Sequence, residues 1–136
     1  MSDRSYDSVY YLLVFVLCVS AIGCSEMKVA PVSGTVTLDG KPLERASVLF
    51  QPKAGGRPSN GVTDKNGFYR LGYSMNEEGA EVGSCIVKVS TALPSEQEGS
   101  KRAKELVPTR YAKDPIVVEV ASRSNTIDLS LTSADK

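Results

Sequence analysis

The sequence predicts an all-β fold, a roughly seven-stranded β-sandwich of Greek-key type, behind a short apolar leader. Three observations point there. Apolar and polar residues alternate with a period of two in several short runs, as half-buried strands require. Turn dipeptides and prolines separate those runs at short intervals. No stretch beyond the leader carries apolar residues at helical spacing.

The leader comes first. Val9 to Ile22 (VYYLLVFVLCVSAI) is an uncharged run of 14 residues. A membrane-spanning helix needs about 20 apolar residues, whereas the core of a signal peptide needs roughly 7–15. The run closes on Ala21-Ile22-Gly23-Cys24 and turns polar at Ser25 and Glu26. Small or β-branched residues followed by Gly and Cys resemble the bacterial lipobox, in which the cysteine sulfur takes a diacylglycerol and becomes residue one. Residues 1–23 are thus the expected signal peptide, Cys24 the expected lipidation site, and 24–30 a lipidated tether. Two features depart from the pattern: Ala21 stands where Leu is usual, and Arg4 is offset by Asp3 and Asp7. An ordinary secretory signal with an incidental cysteine, or an uncleaved anchor, are the competing explanations. One acyl chain holds a protein only marginally, while two or three hold it durably. Ser25 is not the Asp associated with inner-membrane retention, so the expected location is extracytoplasmic and membrane-anchored, at the outer membrane.

The domain itself is expected over residues 31–132. Val32, Gly34, Val36 and Leu38 alternate with Ser33, Thr35, Thr37 and Asp39, a first strand ended by the turn pair Asp39-Gly40. Ala46–Gln51 is a second strand, stopped by Pro52, and Gly61–Thr63 a third. Asp64-Lys65-Asn66-Gly67 is the sharpest turn signal, expected to close a hairpin that brings Val62 and Phe68 into one core. Phe68–Leu71, Cys85–Ser90, Ile116–Val120 and Thr126–Leu131 complete the strands, with a charged surface loop over 94–106 that has room for one helical turn. About 113 residues remain after cleavage, and a chain of that size buries roughly 60% or slightly more of its unfolded surface.

Composition narrows the function. The chain carries 16 basic and 16 acidic residues; without residues 1–23 it has 15 and 14, a net charge of +1. Such balance offers no clustered basic face for nucleic acid, which is not an expected partner. There is no histidine, the side chain best suited to proton transfer near neutral pH and the commonest transition-metal ligand. There is no tryptophan to stack on sugars, although six tyrosines remain. Cys18 leaves with the signal and Cys24 is acylated, so Cys85 is the last free thiol and no intramolecular disulfide forms. In phase with Val87 and Val89, Cys85 reads as a small buried apolar residue rather than a reactive thiol.

Taken together, Val32-Ser-Gly-Thr-Val-Thr-Leu-Asp-Gly-Lys-Pro-Leu43, Ala46-Ser-Val-Leu-Phe-Gln-Pro52 and Gly61-Val-Thr-Asp-Lys-Asn-Gly-Phe-Tyr-Arg-Leu71 resemble the carboxypeptidase-regulatory-like domain. Gly79-Ala80, Gly83, Val87–Ser90, Val107-Pro108 with Tyr111, Val118–Val120 and Asn125–Leu129 continue the pattern over about residues 31–131. The resemblance implies a transthyretin-like (prealbumin-like, broadly immunoglobulin-like) sandwich of the sort found in small bacterial lipoproteins, and a non-catalytic module. Transthyretin-fold enzymes that hydrolyse 5-hydroxyisourate rely on histidines, which this chain lacks.

Few residues invite a chemical role. Asp64 and Asn66 suggest the start of a calcium loop, but the distant bidentate Glu of such loops is missing. Glu77, Glu78 and Glu81 suggest paired carboxylates for glycoside cleavage, yet an exposed acidic loop is the far commoner explanation. Ser59 and Ser84 lack a partner base or a nucleophile elbow. Tyr69 and Tyr73, two alternations apart, are expected on one face, a possible stacking surface for a glycan or peptide. No catalytic residue, cofactor or metal is expected. The expectation is a lipid-anchored structural or binding module of the cell envelope; the alternative is an accessory carbohydrate- or peptide-binding domain serving an envelope enzyme, with an envelope protein or glycan as partner.

Overall fold

The computed structural model describes residues 27–93 and 103–134. The signal peptide, Cys24 and its two following residues, loop residues 94–102 and residues 135–136 lie outside them. Thirteen strands and one helical turn follow in order: β1 (Val29–Ala30), β2 (Val32–Leu38), β3 (Lys41–Pro42), β4 (Ser47–Pro52), β5 (Ser59–Val62), β6 (Phe68–Arg70), β7 (Gly72–Ser74), β8 (Glu77–Glu78), β9 (Ala80–Glu81), β10 (Gly83–Ser90), α1 (Arg110–Lys113), β11 (Ile116–Val120), β12 (Asn125–Thr126) and β13 (Leu129–Leu131). No helix of the described residues is long and apolar enough to cross a membrane.

The fold is the all-β sandwich that the alternation predicts. One sheet runs β11-β10-β4-β5-β7-β8. The other is centred on β2, with β3 and β6 antiparallel along one side and β12 and β13 parallel along the other. Val32 and Val36 of β2, Val48 and Phe50 of β4, Cys85 and Val87 of β10, and Leu129 and Leu131 of β13 fill the interior at 5% exposure or less. Each such side chain contributes roughly 1.5–3 kcal/mol by leaving water. Phe50 and Tyr69, from opposite sheets, meet with ring centroids 6.3 Å apart. Gly34 lets the last strands approach β2: a Cβ there would stand 1.9 Å from the Ile127 carbonyl oxygen.

Thirteen short strands replace the roughly seven expected because the chain changes partners where the alternation runs on. The expected Phe68–Tyr73 continuity breaks after Leu71, whose N–H still bonds to the Val32 carbonyl of β2 at 3.0 Å. Before it, β6 pairs with β2; after it, β7 pairs with β5 and β8 in the other sheet. Likewise the expected strand over Thr126–Leu131 parts at Ile127-Asp128, where Asp128 Oδ1 accepts the Thr35 N–H at 2.8 Å.

Four further expectations are corrected. Residues 29 and 30 are not tether: β1 pairs antiparallel with β9, and Ala30 is fully buried. The Asp64–Gly67 turn does not close a paired hairpin, because β5 lies on β4 and β6 on β2; it carries the chain from sheet to sheet. Val62 and Phe68 point outward, at 52% and 40% exposure, while Thr63 and Tyr69 point inward. Glu77–Glu81 is not a loop but forms β8 and β9 around Gly79.

Candidate functional site

The turn at Asp64 is a closed unit. Asp64 Oδ1 accepts the N–H groups of Asn66 at 2.8 Å and Phe68 at 3.0 Å. The Asp64 carbonyl accepts the Gly67 N–H and its own N–H donates to the Phe68 carbonyl, both at 2.9 Å. Gly67 sits at φ +74°, in the left-handed region that favours glycine. The carboxylate that suggested a calcium loop is thus turned inward onto backbone amides. Among the described residues, no three His, Cys, Asp or Glu side chains gather as a metal site would need.

Tyr69 and Tyr73 do not share a surface. Tyr69 is 1% exposed, and its hydroxyl donates to the Ile127 carbonyl at 2.5 Å. Burial pushes that hydroxyl's pKa well above the usual tyrosine range. Tyr73 belongs to the other sheet, because the chain crosses over at Leu71 between them. Its hydroxyl donates to Glu81 Oε1 at 2.9 Å, which raises the tyrosine pKa. The Arg57 guanidinium stands 5.6 Å from the Tyr73 ring centre, and the Arg57 N–H donates to the same Glu81 oxygen at 3.0 Å. The three glutamates take separate roles: Glu78 faces Arg70 at 3.5 Å on the surface, Glu81 holds Tyr73, and Glu77 is exposed.

A second cluster was missed by sequence reasoning. Between β10 and α1 lies a largely apolar cleft of about 440 Å³, lined among others by Val89, Val107, Pro108, Tyr111 and Ala112. Glu105 braces its wall. Oε1 accepts the Thr91 N–H at 2.9 Å and the Val107 N–H at 3.0 Å, and Oε2 accepts from the Ser90 hydroxyl. The Thr91 hydroxyl accepts the Leu106 N–H at 2.7 Å and has both Glu105 and the Lys104 carbonyl as acceptors, each at 3.0 Å. Burial alone would raise the Glu105 pKa, but the bonds from Ser90, Thr91 and Val107 outweigh it and hold the carboxyl at about 2. At the other wall, Tyr111 Oη accepts the Thr132 N–H at 3.0 Å. The Arg110 guanidinium lies 4.9 Å from the Tyr111 ring centre and donates to the Thr132 hydroxyl at 2.5 Å and to the carbonyls of Thr132 and Ala134.

The remaining nucleophiles are set apart. Cys85 is fully buried, and desolvation raises its thiol pKa. Ser59 is also buried, its hydroxyl bonded to no atom of the described residues. Ser84 donates to Glu119 Oε2 at 2.6 Å, an exposed cross-strand pair of β10 and β11.

The end of the molecule where the described chain begins holds another cleft, of about 580 Å³, lined by Met27, Lys28, Val29, Tyr73, Glu81 and Val82. The Met27 N–H donates to Ser122 Oγ at 3.2 Å, and the Lys28 carbonyl accepts the Val82 N–H at 2.9 Å. The expected lipidation site Cys24 lies outside the described residues, three positions before Met27.

No family model matches the chain, and no curated protein matches it. Among solved structures it is similar to a 9R-lipoxygenase from Cyanothece PCC8801, with a TM-score of 0.41 and 12% identity over 93% of this chain and 23% of that one. The chain therefore spans less than a quarter of that protein's length, and a likeness this shallow carries no argument about activity.

Proposed function

We propose that the chain is a lipid-anchored, extracytoplasmic β-sandwich of the bacterial cell envelope, resembling the carboxypeptidase-regulatory-like domain and serving a structural or binding role without catalysis. The observation that carries this is the position of Gly23-Cys24: it ends an apolar run of 14 residues and stands five residues before the first strand. Such a junction suits an acylated cysteine with a folded domain close behind it. A non-catalytic role is supported by how the acidic side chains are spent: Asp64, Glu81 and Glu105 each accept backbone N–H groups that hold the fold. The outer membrane is the proposed location, on the strength of Ser25. Intact-mass measurement of membrane-extracted protein tests the anchor. It should show loss of residues 1–23 and added acyl mass, both abolished by Cys24→Ser. Protein released freely and beginning elsewhere would overturn the reading.

The β10–α1 cleft favours a second reading, an accessory domain that holds a peptide or glycan for an envelope enzyme. The Tyr69–Tyr73 surface is no longer its basis; an apolar cleft with Tyr111 in its wall is. Ala112 is exposed on the cleft wall, so Ala112→Trp should fill it without disturbing the core. Saturable retention of an envelope hydrolase or glycan that Ala112→Trp abolishes would establish this role, and retention unaffected by the substitution would exclude the cleft.

A further inference from the structure

The end of the sandwich that carries Met27 sets exposed apolar side chains beside exposed cations. Two apolar side chains stand out from it, Met27 at 44% and Val82 at 37% exposure. Two exposed cations flank them, Lys28 beside Met27 and Arg123 in the turn whose Ser122 holds the Met27 N–H. The acids at this end have partners of their own: Glu81 is bonded to Tyr73 and to the Arg57 backbone, and Glu78, which lines a cleft with Ser124, faces Arg70. The chain at this point has no slack, because Met27 is tied to Ser122 and Lys28 to Val82.

Chain length then fixes what this end can meet. Two residues, Ser25 and Glu26, separate Met27 from Cys24, so three Cα–Cα steps give a reach of at most about 10–11 Å when fully extended. The polar headgroup layer of one leaflet is itself about 5–8 Å thick. That reach is of the order of the headgroup layer, so a lipid on Cys24 keeps Met27 and its neighbours at the headgroups, where apolar side chains beside cations suit the boundary between acyl chains and phosphates. We infer that the rim formed by Met27, Lys28, Val82 and Arg123 seats on the phospholipid headgroups of the leaflet holding the Cys24 lipid, so that the sandwich stands on the membrane in one orientation. This rests on the proposed anchor and adds a surface to it. The occupant is the bilayer, with phosphate as the group that Lys28 and Arg123 meet. β2 leads away from the rim, and its six-residue advance from Val32 to Leu38 carries the Asp39-Gly40 turn about 20 Å farther out.

The test uses full-length acylated protein, first checked by intact mass and then reconstituted into vesicles of phosphatidylethanolamine and phosphatidylglycerol carrying a nitroxide at the headgroup. A fluorescent probe is placed on Ser124→Cys at the rim or on Lys41→Cys at the far end, both exposed positions; buried Cys85 takes no label. The rim probe should be quenched several-fold more than the far probe. Lys28→Glu with Arg123→Glu should bring the two together while the acyl mass and the melting temperature stay unchanged. Equal quenching in the acylated wild type would overturn the seating and leave the anchor standing. Absence of acyl mass would overturn both. A rim probe shielded in native envelope membranes yet unquenched in the vesicles would also overturn it, in favour of a protein partner.

Discussion

Two connections in this molecule rest on a carboxylate that gathers backbone N–H groups, and they differ in reach. Asp64 bonds to Asn66 and Phe68, two and four residues ahead. Glu105 bonds to Val107 two residues ahead but also to Ser90 and Thr91, 15 and 14 residues behind. The first device shapes a turn that the neighbouring residues already favour. The second closes a long connection whose two ends have no local reason to meet, so it opposes a larger loss of chain entropy. A local carboxylate sets the path of the chain; a distant one holds two segments together.

The strictest test of the local device is Gly67→Val. At φ +74° the new side chain would be strained, and its Cβ would stand 2.5 Å from the Val36 carbonyl oxygen. That oxygen belongs to β2 and already accepts the Leu43 N–H at 2.9 Å, so it has little room to move. Strain and overlap together should cost roughly 2–4 kcal/mol, a large part of the about 5–15 kcal/mol that holds a small domain folded. Denaturant melts of the folded domain read it directly. A variant that melts like wild type would mean that the turn does not govern the crossing between sheets.

Glu105→Ala comes next, at about 1–2 kcal/mol, since it strands the N–H groups of Thr91 and Val107. The cost is kept to that range because the Glu105 side chain reaches solvent, where screening weakens charged contacts. Its acid dependence has a definite sign. A carboxyl held at about 2 when folded, against 4.5 ordinarily, contributes stability that is complete above pH 4.5 and fades as pH falls toward 2. Melts of wild type and Glu105→Ala should therefore differ near neutrality and converge over that acid window. A gap that persists at pH 2 would show that the side chain packs rather than bonds.

The same contrast explains what the sequence made legible. The alternation in β2, β4 and β10 and the position of the Asp64 turn are written in neighbouring residues and appear where expected, although the turn crosses between sheets instead of closing the expected hairpin. Glu105 left no such trace, because nothing around it names Ser90 or Thr91 as partners. The break at Leu71 was hidden for a subtler reason. Tyr69, Leu71 and Tyr73 keep the parity of one strand, and only the choice of partner strands sends β6 to one sheet and β7 to the other. That choice is made across the core, which is why parity alone puts Tyr69 and Tyr73 on one surface. The pairing of β1 with β9 was illegible likewise: two residues are too few to show a period.

Asp64→Ala should cost about 1 kcal/mol, less than Glu105→Ala, because the turn retains Gly67 and its backbone bonds when the side-chain cap is lost. Thermal melts of the two alanine variants side by side measure the ordering. If Asp64→Ala proves the more damaging, local capping outweighs long-range bracing.

The smallest effect is expected where a carboxylate meets a formal charge. Glu78 faces Arg70 at 3.5 Å, with the two side chains 66% and 61% exposed. In water the attraction between such groups is weak, and two long side chains must give up rotamer freedom to keep it. Arg70→Ala should therefore shift stability by no more than about 0.5 kcal/mol. The backbone of Arg70 stays paired with Ser33 in β2 and is indifferent to the side chain. Adding salt should erase what difference there is, since exposed charges are screened beyond about 8–10 Å at ordinary ionic strength and less far at higher salt. Glu105→Ala should keep most of its deficit under the same conditions, because its partners are N–H and O–H groups of the fold rather than a mobile cation. A salt-sensitive Glu105 effect, or an Arg70 effect above 1 kcal/mol, would mean that charge rather than backbone bonding separates these glutamates.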